Sequence, residues 1–435
     1  MPLTTLLRTS ACLLALTCLL AEDHAAMSAD AQNIADKADA QITAMIKSRD
    51  AQIAKVRLLE IRDLQRVHDT IAKKDADGAK AIMALIDQLK ESAKEGVKDA
   101  PDSPAGAKGG KGAAPVLAGR RQGWQDISNG VISDLESQGT KLDYPGKTAG
   151  ISVDPASGEV YMAICAQGIW RSRDQGKTFQ RVDDRHIGGR CETGAAMNWD
   201  PSGGRLACFM LDGTAGMTLD GGATWSSFGG VGRGWDFGAV DWSAKQVVDL
   251  FALHHESGGE LYRSSDAGKS WTMVSKDNGY DAVGMFDSTT LIAGKNGAGI
   301  MRSTDNGKTW QSVATYAITN HVMVVVQGIG YLISKQGLVA SSDKGATWSV
   351  RGAAVDATMG PLFSDAKHVV AWNGAAIFES VDGGATWTSL TGMPEFPHRG
   401  DLSWNPSWYI SIGWDRSAGI LYASHMGSPA YRWGQ

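Results

Sequence analysis

The sequence predicts an all-β propeller of seven four-stranded blades with an N-terminal α-helical hairpin. The octapeptide Ser303–Trp310 (STDNGKTW) belongs to a set of six near-copies, and consecutive copies lie 38 to 46 residues apart. Short apolar or alternating runs flank each copy, as strands flank a hairpin turn. A hairpin repeated at this period is typical of propellers, in which each repeat builds one blade. Six or eight blades are the alternatives to seven.

Residues 1–21 have the pattern of a secretory signal peptide. Arg8 is their only charge, and Cys12–Leu20 forms an apolar core that is too short for a dedicated membrane-spanning helix. We expect cleavage after Ala21; a site near Ala25 or Ala26 and a lipoprotein role for Cys18 are the alternatives. The mature chain is therefore expected to be secreted, periplasmic or held at the cell surface.

Residues 28–96 are predicted to form a helical hairpin or stalk, and residues 97–116 a flexible linker. Apolar residues such as Ile34, Ile42 and Ile53 recur at helical spacing. The linker is rich in Gly, Ala, Pro and Lys, so it cannot bury a core. The apolar stripe of the hairpin needs a cover. The sequence leaves open whether the hairpin is an oligomerisation or docking arm or packs on the propeller.

Residues 117–435 are assigned to the propeller. Trp404–Asp415 and Gly419–Ser424 predict a seventh blade whose box has lost its Asp. Arg121–Ile127 resembles the run that follows a box, so this N-terminal strand is expected to complete the last blade and remove the open sheet edges. In each box the Asp is expected to accept hydrogen bonds across the turn, the Gly to adopt a positive φ and the Trp to pack between sheets. The box aspartates are Asp174, Asp220, Asp266, Asp305, Asp343 and Asp382.

The octapeptide resembles the Asp-box, or BNR repeat, of sialidase-like β-propellers. In these proteins the box lies on the face opposite the usual binding site, so the resemblance implies turn-forming rather than catalytic aspartates. The Arg-Ile-Pro motif expected of a sialidase is absent. Gly150–Arg173 also resembles the opening blade of secreted xyloglucanase-type glycosidases, but Cys165–Gly168 replaces their catalytic Asp. Propellers that resemble this one also serve as assembly factors, for example for photosystem II.

Ligand binding is expected on the face that carries the inter-blade loops and the loops between second and third strands. Aromatic rings stack on sugars, while arginines and carboxylates bind hydroxyl or carboxylate groups. The substitutes for the missing acid–base pair are Asp183 and Asp236. The candidate ligand-binding residues are Arg185, His186, Arg190, Arg233, Trp235, Tyr280, Tyr316, His321, His398, Arg399 and Trp414.

Three cysteines follow the predicted signal peptide. Cys165 and Cys191 should lie on the same face and are predicted to form a disulfide, with Cys208 a buried thiol; three free thiols are the alternative. No cofactor or metal site is predicted. His254 and His255 are adjacent in a strand and should point to opposite faces, and no third ligand is evident.

The net charge of −5 gives no indication of nucleic-acid binding. The sequence favours an exported propeller that binds a glycan or a protein on the loop face, with the helical hairpin as docking or oligomerisation arm. A secreted glycoside hydrolase with a carboxylate pair on that face is one alternative. A structural cell-surface protein is another. We favour a binding module over an enzyme because no acid–base pair is visible.

Overall fold

The computed structural model describes residues 116–434, apart from gaps at 119–122, 143, 145, 184–186, 245–246, 277, 296–298 and 398–406, together with Met83 and Asp87. The chain divides into two units, Met1–Lys108 and Gly109–Gln435. The predicted signal peptide and the linker to residue 115 lie outside the described residues. So does the predicted helical hairpin, except for Met83 and Asp87, which are both helical.

The second unit is a seven-bladed propeller, as predicted. Its strands form seven four-stranded sheets, and every pairing between neighbouring strands is antiparallel. The strands are β1 (Gln125–Asp126), β2 (Thr148–Val153), β3 (Val160–Ile164), β4 (Gly168–Ser172), β5 (Gln180–Arg181), β6 (Met197–Trp199), β7 (Leu206–Cys208), β8 (Gly216–Thr218), β9 (Ser226–Ser227), β10 (Trp235–Asp241), β11 (Asp249–His254), β12 (Leu261–Ser264), β13 (Thr272–Ser275), β14 (Ala282–Met285), β15 (Leu291–Lys295), β16 (Gly299–Ser303), β17 (Gln311–Ala314), β18 (Val324–Val326), β19 (Ile329–Ser334), β20 (Gly337–Ser341), β21 (Ser349–Arg351), β22 (Met359–Phe363), β23 (Val369–Trp372), β24 (Ala376–Ser380), β25 (Thr388–Gly392), β26 (Ile410–Asp415), β27 (Ile420–His425) and β28 (Ala430–Trp433).

The ring closes between the two ends of the propeller. Blades 1 to 6 are β2–β5, β6–β9, β10–β13, β14–β17, β18–β21 and β22–β25, each in chain order. Blade 7 contains β26, β27 and β28, and β1 supplies its outer strand through the pairs Gln125–Arg432 and Asp126–Tyr431. Closure by an N-terminal strand is therefore confirmed, and it leaves no blade with a missing outer strand.

A second N-terminal contact holds the chain before β1. Leu117 is fully buried against side chains of blades 6 and 7. The Glu379 carboxylate of β24 accepts hydrogen bonds from the Leu117 N–H at 2.7 Å and the Ala118 N–H at 2.8 Å. His368 Nε2 lies 2.6 Å from the same carboxylate. The pKa of Glu379 is lowered because these hydrogen bonds and the His368 interaction outweigh the effect of burial.

Two short helices interrupt the sheets within the described residues. Helix α1 (Asn129–Ser137) follows β1, and its Ile132 and Leu135 pack against the first strands of blade 1. The Asp126 carboxylate accepts hydrogen bonds from the N–H groups of Ser128 and Asn129 at the start of this helix. A 3₁₀ turn (Ser407–Tyr409) precedes β26. The sequence analysis predicted neither element.

The boxes form the turns between third and fourth strands. In the copy at Ser303–Trp310, Asp305 Oδ1 accepts from the Thr309 N–H at 2.9 Å, and its Oδ2 accepts from the Thr309 hydroxyl at 2.7 Å. Gly307 has a φ of +84°, and a Cβ there would lie 2.7 Å from Val274 of the preceding blade. The Gly therefore satisfies both the turn and the close approach of two blades.

The first strands of all seven blades surround a cavity of about 440 Å³ on the propeller axis. Its wall is largely apolar, with four methionines from four blades. These are Met197, Met285, Met323 and Met359. No helix among the described residues is long and apolar enough to span a bilayer.

Candidate functional site

The propeller has two chemically different faces. The box turns and the connections from first to second strands lie on one face, here called the box face. The inter-blade connections and the connections from second to third strands lie on the opposite face, here called the loop face. This assignment follows from the antiparallel order of each blade.

Charged side chains from blades 1 to 3 form one connected network on the loop face. Arg190 contacts Glu192 at 2.6 Å and Asp212 at 3.0 Å. Arg233 donates to both oxygens of Asp212 at 2.9 Å and contacts Glu256 at 2.7 Å. Two arginines predicted from the sequence therefore converge, through Asp212. The loop-face cluster is defined as Arg190, Glu192, Asp212, Arg233, Asp236, His255 and Glu256.

The inner part of this cluster combines two carboxylates and an imidazole. One ligand atom from each of Glu192, Asp236 and His255 lies within 4.8 Å of the others. His255 Nδ1 is 2.5 Å from Asp236 Oδ1. Burial raises the pKa of Glu192, and the charge of Arg190 offsets this only in part. Burial lowers the pKa of His255, but the hydrogen bond to Asp236 and the nearby carboxylates outweigh it, so that pKa is raised.

Three aromatic side chains flank the cluster. The Arg190 guanidinium lies 5.9 Å from the ring centroid of Tyr144, whose side chain is 49% exposed. The Tyr409 hydroxyl donates to Glu192 Oε1 at 3.3 Å. Tyr409 is buried and contacts Trp408, which is 44% exposed, edge to face. Two accessible rings therefore border a set of charged hydrogen-bonding groups on one face.

Several predicted site residues are buried in the core instead of facing solvent. Asp183 is fully buried and accepts a hydrogen bond from the Ile187 N–H at 2.9 Å, which fits a loop-forming role. Trp235 is 1% exposed and its ring centroid lies 4.1 Å from that of Trp271. Tyr280 packs near Trp310, and Trp414 is buried beside the axial cavity. These three aromatic residues, predicted to bind a ligand, are therefore buried and offer no exposed ring on the loop face.

The remaining predicted residues are dispersed. Tyr316 is half-buried, and its hydroxyl donates to the Trp348 carbonyl at 3.4 Å. The ring centroids of His321 and Phe237 are 5.0 Å apart, and burial lowers the pKa of His321. Arg185, His186, His398 and Arg399 lie outside the described residues.

The predicted disulfide between Cys165 and Cys191 is a further correction. Cys165, Cys191 and Cys208 are all free, buried thiols. Cys165 donates to the Gly146 carbonyl, and Cys191 Sγ lies 3.6 Å from the sulfur of Met210. Burial raises the pKa of Cys191 to about 12, so this thiol stays protonated and unreactive.

The predicted site residues did not include Asp212, His255 and Glu256, which lie in loops between second and third strands, nor Tyr144, Glu192, Trp408 and Tyr409. The last four lie one to five residues before a first strand. A search restricted to the last residues before each first strand would have found them. No spacing rule marks them, because their neighbours in space come from different blades.

Comparisons with known proteins agree with the repeat. Residues 301–312 match the family model described as BNR/Asp-box repeat. A xyloglucanase from a Paenibacillus species is 27% identical over 263 residues, which cover 59% of this chain and 22% of that protein. The chain thus spans about a fifth of the length of this curated relative.

Solved structures with a similar outline include YCF48 bound to D1 peptide and the GH74 enzyme of Niastella koreensis. The first has a TM-score of 0.44 and 15% identity, and covers 74% of this chain and all of that one. The second has a TM-score of 0.42 and 18% identity, and covers 67% of this chain and 53% of that one. Neither likeness bears on the ligand.

The repeat and the seven blades together define the class of protein. The chain is a β-propeller with BNR/Asp-box repeats, so the resemblance stated from the octapeptide is confirmed at the level of this superfamily.

Proposed function

We propose that this chain is an exported glycan-binding propeller whose ligand lies on the loop face, between Tyr144 and Trp408. The observation that carries the proposal is an exposed Tyr144 ring against Arg190 together with an exposed Trp408 ring against Tyr409, which contacts Glu192. Such rings offer apolar faces for sugar rings, and the charged groups between them bind hydroxyls and fix the orientation of the ligand.

The first ligand class to test is a plant-type glucan such as xyloglucan. The support is the sequence similarity to a xyloglucanase. Because this chain corresponds to only part of that protein, the shared region supports recognition of a polysaccharide more directly than its cleavage. A protein ligand on the same face is the alternative within the binding hypothesis.

Export and the helical arm belong to the same proposal. The signal-like pattern of residues 1–21 would deliver the propeller outside the cytoplasm, where polysaccharides are found. The predicted hairpin at 28–96 would hold it to a partner or to a second copy. Both stay predictions from sequence.

A glycoside hydrolase is the second candidate, favoured by one specific observation. Carboxylate oxygens of Glu192 and Asp236 lie within 4.8 Å, close to the roughly 5–5.5 Å separation of retaining enzymes. Glu192 also has a raised pKa, as a general acid requires. However, Arg190 and Tyr409 contact Glu192, and His255 contacts Asp236. A substrate would have to displace these contacts to reach either carboxylate.

The two candidates are separated by one assay on the full chain. We would incubate it with a panel of insoluble and soluble polysaccharides and record both depletion of the protein and formation of reducing ends. Binding without cleavage is the expected result. Reducing ends that form with the native chain and vanish in Glu192→Gln would establish the hydrolase instead. If no polysaccharide depletes the protein, the glycan proposal is wrong and a protein ligand becomes the hypothesis.

A further inference from the structure

The inner part of the loop-face cluster contains a buried nitrogen without a partner. The His255 side chain is only 4% exposed, and its Nε2 has no hydrogen-bond partner among the described residues. Its Nδ1 lies 2.5 Å from Asp236 Oδ1. Since a carboxylate only accepts hydrogen bonds, this contact places a proton on Nδ1. Nε2 then has two ways to be satisfied among the carboxylates, with a second proton or by binding a metal ion through its lone pair.

The groups around Nε2 are acceptors rather than donors. Glu256 Oε1 lies 3.6 Å from Nε2, while the other oxygen of Glu256 is held by Arg233. A ligand atom of Glu192 lies within 4.8 Å of ligand atoms of His255 and Asp236, a group that does not include Glu256. A proton or a metal ion can bridge this nitrogen and a carboxylate oxygen, and a metal ion can bind the nitrogen and more than one carboxylate at once.

The charge of the cluster leads to the same kind of ligand. The cluster contains the four carboxylates of Glu192, Asp212, Asp236 and Glu256 and the two guanidinium groups of Arg190 and Arg233. The carboxylates therefore outnumber the guanidinium groups by two, and a divalent cation would balance this excess of negative charge.

We propose that the loop face binds a divalent transition-metal ion through His255 Nε2 and the carboxylates of Glu192 and Glu256. Asp236 orients the imidazole ring from its Nδ1 side, as carboxylates commonly do for metal-bound histidines. One imidazole nitrogen with carboxylate oxygens suits Zn²⁺ better than Ca²⁺ or Mg²⁺, which take oxygen ligands.

The geometry needs a small contraction at Glu256, while at Glu192 the ion must share or replace the contacts with Arg190 and Tyr409. Two ligands in a tetrahedral zinc site lie about 3.3 Å apart, because each is about 2.0–2.1 Å from the ion. The distance of 3.6 Å between His255 Nε2 and Glu256 Oε1 is already near this value. Glu256 is 68% exposed and forms an ion pair with Arg233, itself 51% exposed, so an ion can reach the buried nitrogen if this surface ion pair opens. The site does not depend on the face binding a glycan.

The test is isothermal titration calorimetry of the full chain after EDTA treatment and buffer exchange, with ZnCl₂, MnCl₂ and CaCl₂ as titrants. The native chain is expected to bind one equivalent of Zn²⁺, more tightly than Ca²⁺. His255→Gln should weaken this binding by ~100-fold or more. Asp236→Asn should weaken it by ~10-fold, as expected when the partner of a ligating histidine is removed.

His254→Gln is the matched control, since His254 is adjacent in sequence but contacts Glu260 at 3.2 Å. It should bind Zn²⁺ like the native chain. If circular dichroism shows that His255→Gln does not fold, Glu256→Gln tests the site instead. Because Glu256 is exposed, its variant should fold and bind ~10-fold more weakly. No zinc binding by the native chain, or equal affinity in His255→Gln or in a folded Glu256→Gln, would overturn the proposal.

Discussion

At the scale of single residues, the Asp box is a device for making a tight turn beside a neighbouring blade. Ser303 supports the arrangement, since its hydroxyl oxygen accepts from the Gly307 N–H at 2.8 Å and the hydroxyl donates to Asp305 at 2.8 Å. Both carboxylate oxygens of the Asp therefore accept hydrogen bonds from its own turn. This is why six regularly spaced aspartates define the fold and contribute no site on the loop face.

Gly307→Ala should destabilise the propeller by about 1–3 kcal/mol. The new methyl group would occupy a left-handed backbone conformation and meet Val274 of the preceding blade. Chemical denaturation followed by tryptophan fluorescence measures the change. Gly130→Ala is the control, because it lies in α1 with no atom near its added Cβ and should be neutral or slightly stabilising. Equal stability of both variants would contradict this view of the box.

The boxes also predict how stability depends on pH. Hydrogen bonds from Thr309 and Ser303 lower the pKa of Asp305 from 3.8 to about 2, and Asp343 and Asp382 are lowered to about 2 in the same way. Because the pKa is lower in the folded state, each of these carboxylates stabilises the fold fully above pH ~4, and this stabilisation is lost as the pH falls toward 2.

The free energy of unfolding should therefore decline between pH ~4 and ~2 as the box aspartates become protonated. Urea unfolding of the native chain and of Asp305→Asn at a series of pH values measures it. The variant carries no charge at this position, so it should be less stable at pH 7 and lose less on acidification. An identical pH profile for both proteins would argue against the role given to the box carboxylates.

At the scale of elements, the N-terminal segment is an integral part of the ring. β1 completes blade 7, and Leu117 is anchored by Glu379 between blades 6 and 7. The sequence predicted the first contact because Arg121–Ile127 repeats the pattern of an outer strand. It could not predict the second, since Glu379 lies in a strand and Leu117 is 262 positions away in the chain.

Glu379→Gln should cost about 1–3 kcal/mol of stability. A glutamine offers one acceptor oxygen where the carboxylate serves two backbone N–H groups and His368, so a buried donor is left unsatisfied. Thermal unfolding monitored by circular dichroism gives the comparison. Glu395→Gln is the control, an exposed position where a change within about 0.5 kcal/mol is expected. A native-like unfolding temperature for Glu379→Gln would show that the contact between Glu379 and Leu117 does not stabilise the closed ring.

At the scale of the whole molecule, the repeat predicted the number and connection of the blades, but only part of the site. The repeat period and the strand pattern can be recognised in contiguous stretches of sequence, so the fold could be predicted from them. Loop position predicted that Arg190 and Arg233 reach the loop face, yet it could not tell that Trp235 turns into the core while Trp408 stays exposed. The direction of a loop side chain depends on neighbours from other blades. A single sequence does not encode these contacts as a spacing.

The loop face is proposed to bind a glycan through Tyr144 and Trp408. Affinity electrophoresis of the full chain in gels that contain soluble xyloglucan or another glycan from the panel tests it directly. Tyr144→Ala with Trp408→Ala should weaken binding by ~10–100-fold, since each ring contributes roughly 0.5–1.5 kcal/mol. Met273→Ala removes an exposed apolar side chain from the outer strand of blade 3 and should bind like the native chain. A double variant that is retarded as strongly as the native chain would contradict the account.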